Sequence, residues 1–364
     1  MNVRDSTLPA IEACSSVEFG LPIDLRSDTV TQPTPAMYER MRSAILGDDG
    51  LDGDPTAREL EALVADKLGK EAGLFVPTAT MGNLLAAMSQ TQRQAKVLIE
   101  TNAHMLASEW GGAILSGLSY VGVPGSQGAM NLDSLRQALS PTGPFQVELI
   151  CMETTHANAG GTVLPLDHMR AVREAAGTAG VRVHVDGARL FNAAVALNLS
   201  PDALTCFADT VVICLSKGLS APAGAVLVGD LPTIDKARHL RKILGGTQRQ
   251  VGIVAAAGLV AIETMTDRLV EDHLLAKRLS AALNTIHDAA LQANTPQTNI
   301  VFADLGESGP DSSVWASQLN RLGVLVRPWG ERRLRLVTHR HLDDASIDGA
   351  VAAFRKVAEV LLEG

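Results

Sequence analysis

Aromatic side chains are scarce, with Phe, Trp and Tyr making up 3% of the 364 residues, which argues against a surface built to stack nucleic-acid bases. The formal charge is −9 and no Lys/Arg cluster offsets it, so no nucleic-acid partner is expected. Long apolar runs are also missing. Each is broken by Gly, Ser or charge well before the ~18 residues that a spanning helix needs, so no membrane association is expected. Cysteine is limited to Cys14, Cys151, Cys206 and Cys214, without any C-x-x-C spacing. Neither a metal site nor a disulfide is expected from them, and the three in apolar runs should pack as small hydrophobes. The start, Met1-Asn-Val-Arg-Asp-Ser, has no apolar stretch behind its arginine, so it does not read as a secretory signal; a cytoplasmic address is expected from the cysteines, which read as core packing. Asp48, Asp49, Asp52 and Asp54 lack the spacing of a calcium loop and read as turn chemistry. Internal repeats and low-complexity tracts are absent.

What the chain does have is enough apolar residue, 46%, for a sizeable core, and a length that suits a large domain plus a smaller one. Residues 1–22 show no periodicity and read as an arm. Leu21 to Thr31 reads as extended, and Pro35 to Leu46 as helical, with Met37, Met41 and Ile45 on one face. A Gly/Asp loop follows, and Thr56 is expected to cap the next helix with Glu59 at the capping-box position. From Leu74 to Val228 short apolar strands alternate with helical stretches. The strand candidates are Leu74–Val76, Val97–Glu100, Leu118–Val123, Leu149–Glu153, Val181–Val185, Val211–Leu215 and Ala225–Val228. This alternation predicts an α/β fold with a mainly parallel sheet covered by helices on both faces. A long helical region should then run from Asp235 to about Ile286, followed by a small α+β domain. The expected division is an arm (1–30), a large domain (31–255) and a small C-terminal domain (256–364).

The most informative segments are Val181-Arg-Val-His-Val-Asp186-Gly-Ala-Arg189 and Val211-Val-Ile-Cys-Leu-Ser-Lys217. Each starts as a β-branched run suited to a strand buried on both faces and ends in charged residues, which are costly there unless something holds them. One reading is a buried Lys–Asp ion pair beside two turns. The other is pyridoxal phosphate, with Lys217 carrying the cofactor as a Schiff base and Asp186 facing its pyridine nitrogen. Other polar residues fall at strand ends too, where ligands collect in open α/β sheets. Thr78-Ala79-Thr80-Met-Gly-Asn opens a helix and could offer free N–H groups to a phosphate, although any capped helix start looks similar. His104 could lie flat on a ring or be an exposed loop histidine. Glu109 falls off the helical face of His104, so the two need not pair. His156 follows a strongly apolar strand, where a base that titrates near neutral pH would be useful. Arg189 could reach a cofactor oxygen or a substrate carboxylate, and Arg335 could clamp that carboxylate.

In order along the chain stand Leu25-Arg-Ser-Asp-Thr-Val-Thr, Gly47-Asp-Asp, Asp54-Pro-Thr, Phe75-Val-Pro-Thr-Ala-Thr-Met-Gly-Asn, Glu153-Thr-Thr-His, His184-Val-Asp-Gly-Ala-Arg, Leu215-Ser-Lys-Gly-Leu-Ser-Ala-Pro, Gly245-Gly-Thr-Gln-Arg-Gln and Arg335-Leu-Val-Thr-His. With this ordered set the chain resembles the L-threonine aldolase family of fold-type I (aspartate aminotransferase-like) pyridoxal phosphate enzymes. The resemblance implies retro-aldol cleavage of L-β-hydroxy-α-amino acids, such as threonine, allo-threonine or phenylserine, to glycine and an aldehyde. It implies Lys217 as the Schiff-base lysine, Asp186 at the ring nitrogen and Arg189 at the cofactor oxygen and substrate carboxylate. Ala79 and Thr80 would sit at the phosphate and His104 on the ring. Ser27 and Arg335 would hold the carboxylate, with His156 near the substrate hydroxyl. Arg249 falls in a segment that meets a neighbouring subunit's cofactor, and a homo-oligomer, tetramer or dimer, is implied.

Departures lie in the acidic loop, where Leu51 stands in place of the family's usual tyrosine, and at Thr78, Ala79, Thr247 and Gln248. They leave the cofactor residues intact and bear on substrate preference, with Leu51 favouring bulkier side chains such as that of phenylserine. The base for the hydroxyl proton is open between His156 and a water held near His104 and Glu109. The alternatives to aldol cleavage are β-elimination, transamination or racemisation on the same cofactor, or a non-catalytic cofactor-binding protein.

Overall fold

The computed structural model describes residues 22–109, 111–140, 143–286, 291–307 and 309–363. Most of the expected N-terminal arm, with Cys14, lies outside them. The chain divides into two compact units, one running from Thr31 to Val270, the other joining the segment that ends at Val30 to residues from Glu271 onward.

The first unit is built on seven strands: β1 (Ala72–Val76), β2 (Lys96–Glu100), β3 (Ser119–Val123), β4 (Val147–Glu153), β5 (Arg182–Gly187), β6 (Thr210–Cys214) and β7 (Ala225–Gly229). Their order in the sheet is β1-β7-β6-β5-β4-β2-β3, and only β7 runs against the rest. The alternation of side chains along each strand separates two apolar layers. Phe75, Ile150, Val183, Val185, Val211 and Ile213 join one layer, which also takes in the helices Pro55–Lys67, Leu166–Ala179 and Gly252–Thr264. Leu74, Val76, Val212, Ala225 and Leu227 face the other way, onto the helices Ala79–Gln90 and Leu231–Ile243. Burial on both sides explains why these strands read as continuous β-branched runs.

The second unit holds a four-stranded antiparallel sheet in the order Leu291–Ala293, Ile300–Leu305, Arg333–Val337, Arg327–Pro328. Its core gathers Leu25, Leu279, Trp315, Leu336, Ile347 and Phe354. Among the described residues no helix is long and apolar enough to cross a membrane.

Several local expectations are corrected. Among the described residues, which leave out Leu21, the extended segment is only Ile23–Asp24, paired with Val324–Leu325, and a 3-10 turn over Asp28–Val30 follows. The first helix stops at Arg42 rather than Leu46, because the loop takes over its polar groups: Thr56 Oγ1 donates to Ile45 O at 2.8 Å and Gly47 N–H donates to Asp54 Oδ2 at 3.0 Å. The cap of the next helix is Asp54, not Thr56. Asp54 Oδ1 accepts from Ala57 N–H at 3.0 Å, and Pro55 takes the first helical position, where no N–H is needed. Glu59 pairs with Arg40 instead of closing a capping box. Cys151 and Cys214 are buried as expected, but Cys206 is exposed, on a short helical turn outside the core.

The acidic loop is fixed from within. Asp49 meets Arg241 at 2.6 Å, with both side chains almost wholly buried, and Arg241 also donates to the carbonyl of Phe75 on β1. Arg241→Met should destabilise the protein by about 3–5 kcal/mol, because it strands a buried Asp49 carboxylate. The drop in the midpoint of chemical unfolding measures this, and adding Asp49→Asn should recover part of it.

Candidate active site

Because β1, β2, β4, β5 and β6 are parallel, their carboxyl ends share one edge of the sheet, and nearly every candidate in this unit follows one of them. Ala79 and Thr80 open the helix after β1. His104 starts the short helix after β2, Glu153 ends β4 with His156 after it, Asp186 lies at the end of β5 with Arg189 after it, and Lys217 follows β6. Gly82 lets the helix after β1 press onto the sheet, since a Cβ there would sit 2.5 Å from Val212 Cγ2. The side chain of Thr78 takes the Met81 N–H, and Gly82 N–H bonds Thr78 O. Helix geometry leaves the N–H groups of Ala79 and Thr80 outside this ladder.

The centre of the cluster is a pair of carboxylates joined by an amide. Asn83 Nδ2 lies 3.0 Å from Asp186 Oδ2 and 3.2 Å from each oxygen of Glu109. Asp186 Oδ1 accepts from Ala188 N–H at 3.1 Å. The orientation of Asn83 is set from behind. Gln90 donates to Thr210 Oγ1 at 2.8 Å, Thr210 meets His184 Nδ1 at 2.9 Å, and His184 Nε2 meets Asn83 Oδ1 at 3.0 Å. Complete burial pushes the His184 pKa down to about 4, so this ring is neutral and carries its proton on Nε2. Every donor in the chain then points towards the carboxylates.

Burial pushes the Glu109 carboxyl up to about 7, with the Asp186 charge adding to the effect. The Thr80 hydroxyl, the Asn83 amide and the Lys217 charge act in the opposite sense. His104 Nε2 stands 3.8 Å from Glu109 Oε1, with 41% of its side chain exposed. The two residues meet although their spacing does not suit a helix, because the helix ends at Ala107. Arg189 is buried at the start of the helix Leu190–Leu197. Lys217 is half-buried, and its backbone carbonyl accepts from Thr31 Oγ1 at 2.7 Å.

His156 is placed differently. It is wholly enclosed, with Nε2 3.1 Å from Glu100 Oε2 and 3.7 Å from Glu153 Oε2, and these carboxylates raise its pKa against the effect of burial. Arg249 lies in the acidic loop region, exposed and 3.4 Å from Asp48. Ser27 and Arg335 belong to the second unit. There Arg335 is buried, stacks its guanidinium 5.5 Å from the Trp329 ring centroid and donates to the carbonyl of Arg26, which precedes Ser27.

Sequence reasoning missed Asn83, Glu100 and Glu153. The last two end apolar strands in a carboxylate, which is the same signal that marks Asp186.

These groups fit pyridoxal phosphate on donor chemistry. An amine and a carboxylate held by two donors end neighbouring parallel strands, and a helix start with spare N–H groups lies along the same edge. Residues 24–307 match the beta-eliminating lyase family. Low-specificity L-threonine aldolase 1 of Arabidopsis thaliana is 39% identical over 349 residues, covering 94% of this chain and 98% of that protein. The low specificity L-threonine aldolase of Escherichia coli K12 is 36% identical over 338 residues, covering 92% and 98%. Among solved structures, threonine aldolase of Leishmania major superposes with a TM-score of 0.79 at 17% identity, covering 92% of this chain and 99% of that one, a likeness of fold. The chain therefore belongs to the beta-eliminating lyase family, among the L-threonine aldolases.

Proposed function

We propose that this pyridoxal-phosphate-dependent lyase, which cleaves threonine-type β-hydroxy amino acids to glycine and an aldehyde, uses Glu109, with His104, as the base for the substrate hydroxyl. When bound, the cofactor supplies an aldehyde that condenses with amines and a ring that draws electrons from the bonds at Cα. Lys217 is the amine that holds it, Asp186 keeps the ring nitrogen protonated, Ala79 and Thr80 receive the phosphate, and His104 covers the ring. The substrate carboxylate is assigned to Arg189, with Ser27 and Arg335 carried over from the family resemblance. Holding that carboxylate turns the scissile bond towards the electron-withdrawing ring. Arg249 and a homo-oligomer follow the same resemblance, and a cytoplasmic address follows from cysteines that read as core packing rather than disulfides. The exposed apolar side chains Ile45, Leu46 and Leu51 are ones that a second copy could cover.

One observation carries the choice of base. Burial pushes Glu109 up to about 7 and it stands 3.8 Å from half-exposed His104, whereas His156 is wholly enclosed with two carboxylates at its Nε2 and is favoured in its protonated form. A base works ionised and best with a pKa near the working pH, so kcat/KM should fall as pH drops below about 7. Glu109→Gln should lower kcat about 10²–10⁴-fold and remove that acid limb. Aldehyde release from L-threonine, L-allo-threonine and both phenylserine diastereomers measures it. Pyruvate release or racemisation instead would overturn the reaction, and an unchanged acid limb in Glu109→Gln would overturn the base. Faster release from phenylserine than from threonine is the expected consequence of Leu51.

A further inference from the structure

The cluster around His156 has a second member that no role above uses. Glu100 ends β2 with its carboxylate 2% exposed, and Oε2 both meets His156 Nε2 at 3.1 Å and accepts the Asn102 N–H at 2.7 Å. Glu153 ends β4, and its Oε2 lies 3.7 Å from the same ring nitrogen. Its Oε2 accepts the His104 N–H at 2.6 Å, and Oε1 accepts the Ala157 N–H at 2.8 Å. The short helix that His104 opens has no side-chain cap of its own, since Ala103 stands at the cap position. A carboxylate from a distant strand supplies that cap.

The hairpin Gly125–Met130 closes over this arrangement. A Cβ on Gly125 would fall 2.8 Å from Glu100 Cγ, and one on Gly128 would fall 2.7 Å from His156 Cβ and Cγ. With 0% exposure His156 has no open face for a substrate, so it works through its neighbours.

We propose that Glu100 is a positioning residue: its ion pair with His156 keeps Glu153 available as a double acceptor, and Glu153 in turn fixes the backbone under His104. The inference rests on the reading that His104 covers the cofactor ring.

The charges decide which carboxylate holds the pair. The groups facing the His156 ring are Glu100 from β2, Glu153 from β4 and Asp186 from β5. The His156 pair and the Asn102 N–H hold the Glu100 carboxyl below its ordinary range, although burial opposes them. Burial, with Asp186, pushes Glu153 up. Glu100 is therefore the anion that matches the imidazolium, and the same cation, with the two backbone N–H groups, favours the ionised form of Glu153 against burial and the Asp186 charge. Without Glu100 the imidazole loses its proton more readily, and with it Glu153 loses a charge that favours its ionised form, so Glu153 takes up a proton more readily. A protonated carboxyl keeps one full acceptor and becomes a donor at the other oxygen. One of the two backbone N–H groups, Ala157 or His104, then loses its partner.

Glu100→Gln tests this with readouts that need neither cofactor nor turnover. In the cofactor-free wild type, the His156 ring resonances should titrate above the ordinary histidine value of about 6.5. In Glu100→Gln they should titrate at or below it, and the His104 amide should exchange with solvent about 10-fold faster or more. In the loaded enzyme kcat should fall about 10–100-fold, the scale of losing a partner behind a ligating group, while Glu100→Asp should restore part of it. Where Glu100→Gln does not fold, the wild-type His156 titration and Glu100→Asp carry the test. A His156 titration unchanged by the loss of the Glu100 charge, or a wild-type ring that titrates below the ordinary value, would overturn the proposal. So would a His104 amide equally protected in both proteins. Because ring titration and amide exchange are read without substrate, they stand apart from any failure of the aldol assay.

Discussion

Lys217→Ala should abolish aldehyde release, by more than about 10³-fold in kcat, and remove the absorbance near the visible edge that marks a lysine-bound pyridoxal phosphate. The magnitude combines the loss of covalent attachment with the loss of a proton-transfer group. The position supports the assignment. Lys217 follows β6 next to the strand that ends in Asp186, and its backbone is held by Thr31 Oγ1 and by the Ser220 N–H. Lys70 is a competing partly buried amine, and burial lowers its pKa. Its Nζ, however, donates to the carbonyls of Thr205 and Ala208, and it precedes β1, at the amino ends of the parallel strands. Lys70→Ala should therefore keep the absorbance. A Lys217→Ala protein with an unchanged spectrum would remove Lys217 from this role. The far-ultraviolet circular dichroism should be unchanged, since Lys217 lies after β6, outside helix and strand.

How far the sequence discloses this site depends on the range of the interaction. Strands buried on both faces announce themselves as runs such as Val211-Val-Ile-Cys, and a charged residue at the end of such a run is conspicuous, which is why Asp186 and Lys217 stand out before any coordinates. The partners of those residues do not. Asn83 reaches Asp186 across 103 positions, and His156 reaches Glu100 across 56, so no spacing rule connects them. The His104–Glu109 contact was hidden by assuming that a helix continues, when it ends after one turn. The cap at Asp54 was within reach, because Asp-Pro is itself a helix-start signal, but the Thr-x-x-Glu pattern beside it competed. Tertiary contacts settled that competition, since the Thr56 hydroxyl is taken by the carbonyl of Ile45.

Asp186→Asn offers the second large effect and also tests how the two carboxylates are coupled. The substitution keeps shape but removes the charge that would face a protonated ring nitrogen, and it turns one of two acceptors, opposite Asn83 or opposite the Ala188 N–H, into a donor. Asn83 cannot rotate to compensate, because neutral His184 already donates to its oxygen. The loss of one preorganised electrostatic partner predicts a fall in kcat of about 10²–10³-fold. The pH profile carries the sharper result. The Asp186 charge helps to hold Glu109 up at about 7, so removing it makes ionisation of Glu109 easier and lowers its pKa. The acid limb of kcat/KM in Asp186→Asn should therefore move to lower pH while kcat collapses, whereas Glu109→Gln should lose the limb altogether. A limb that stays in place in Asp186→Asn would mean that Glu109 does not sense the Asp186 carboxylate. The amide of Asn83 would then hold two independent groups rather than one coupled pair.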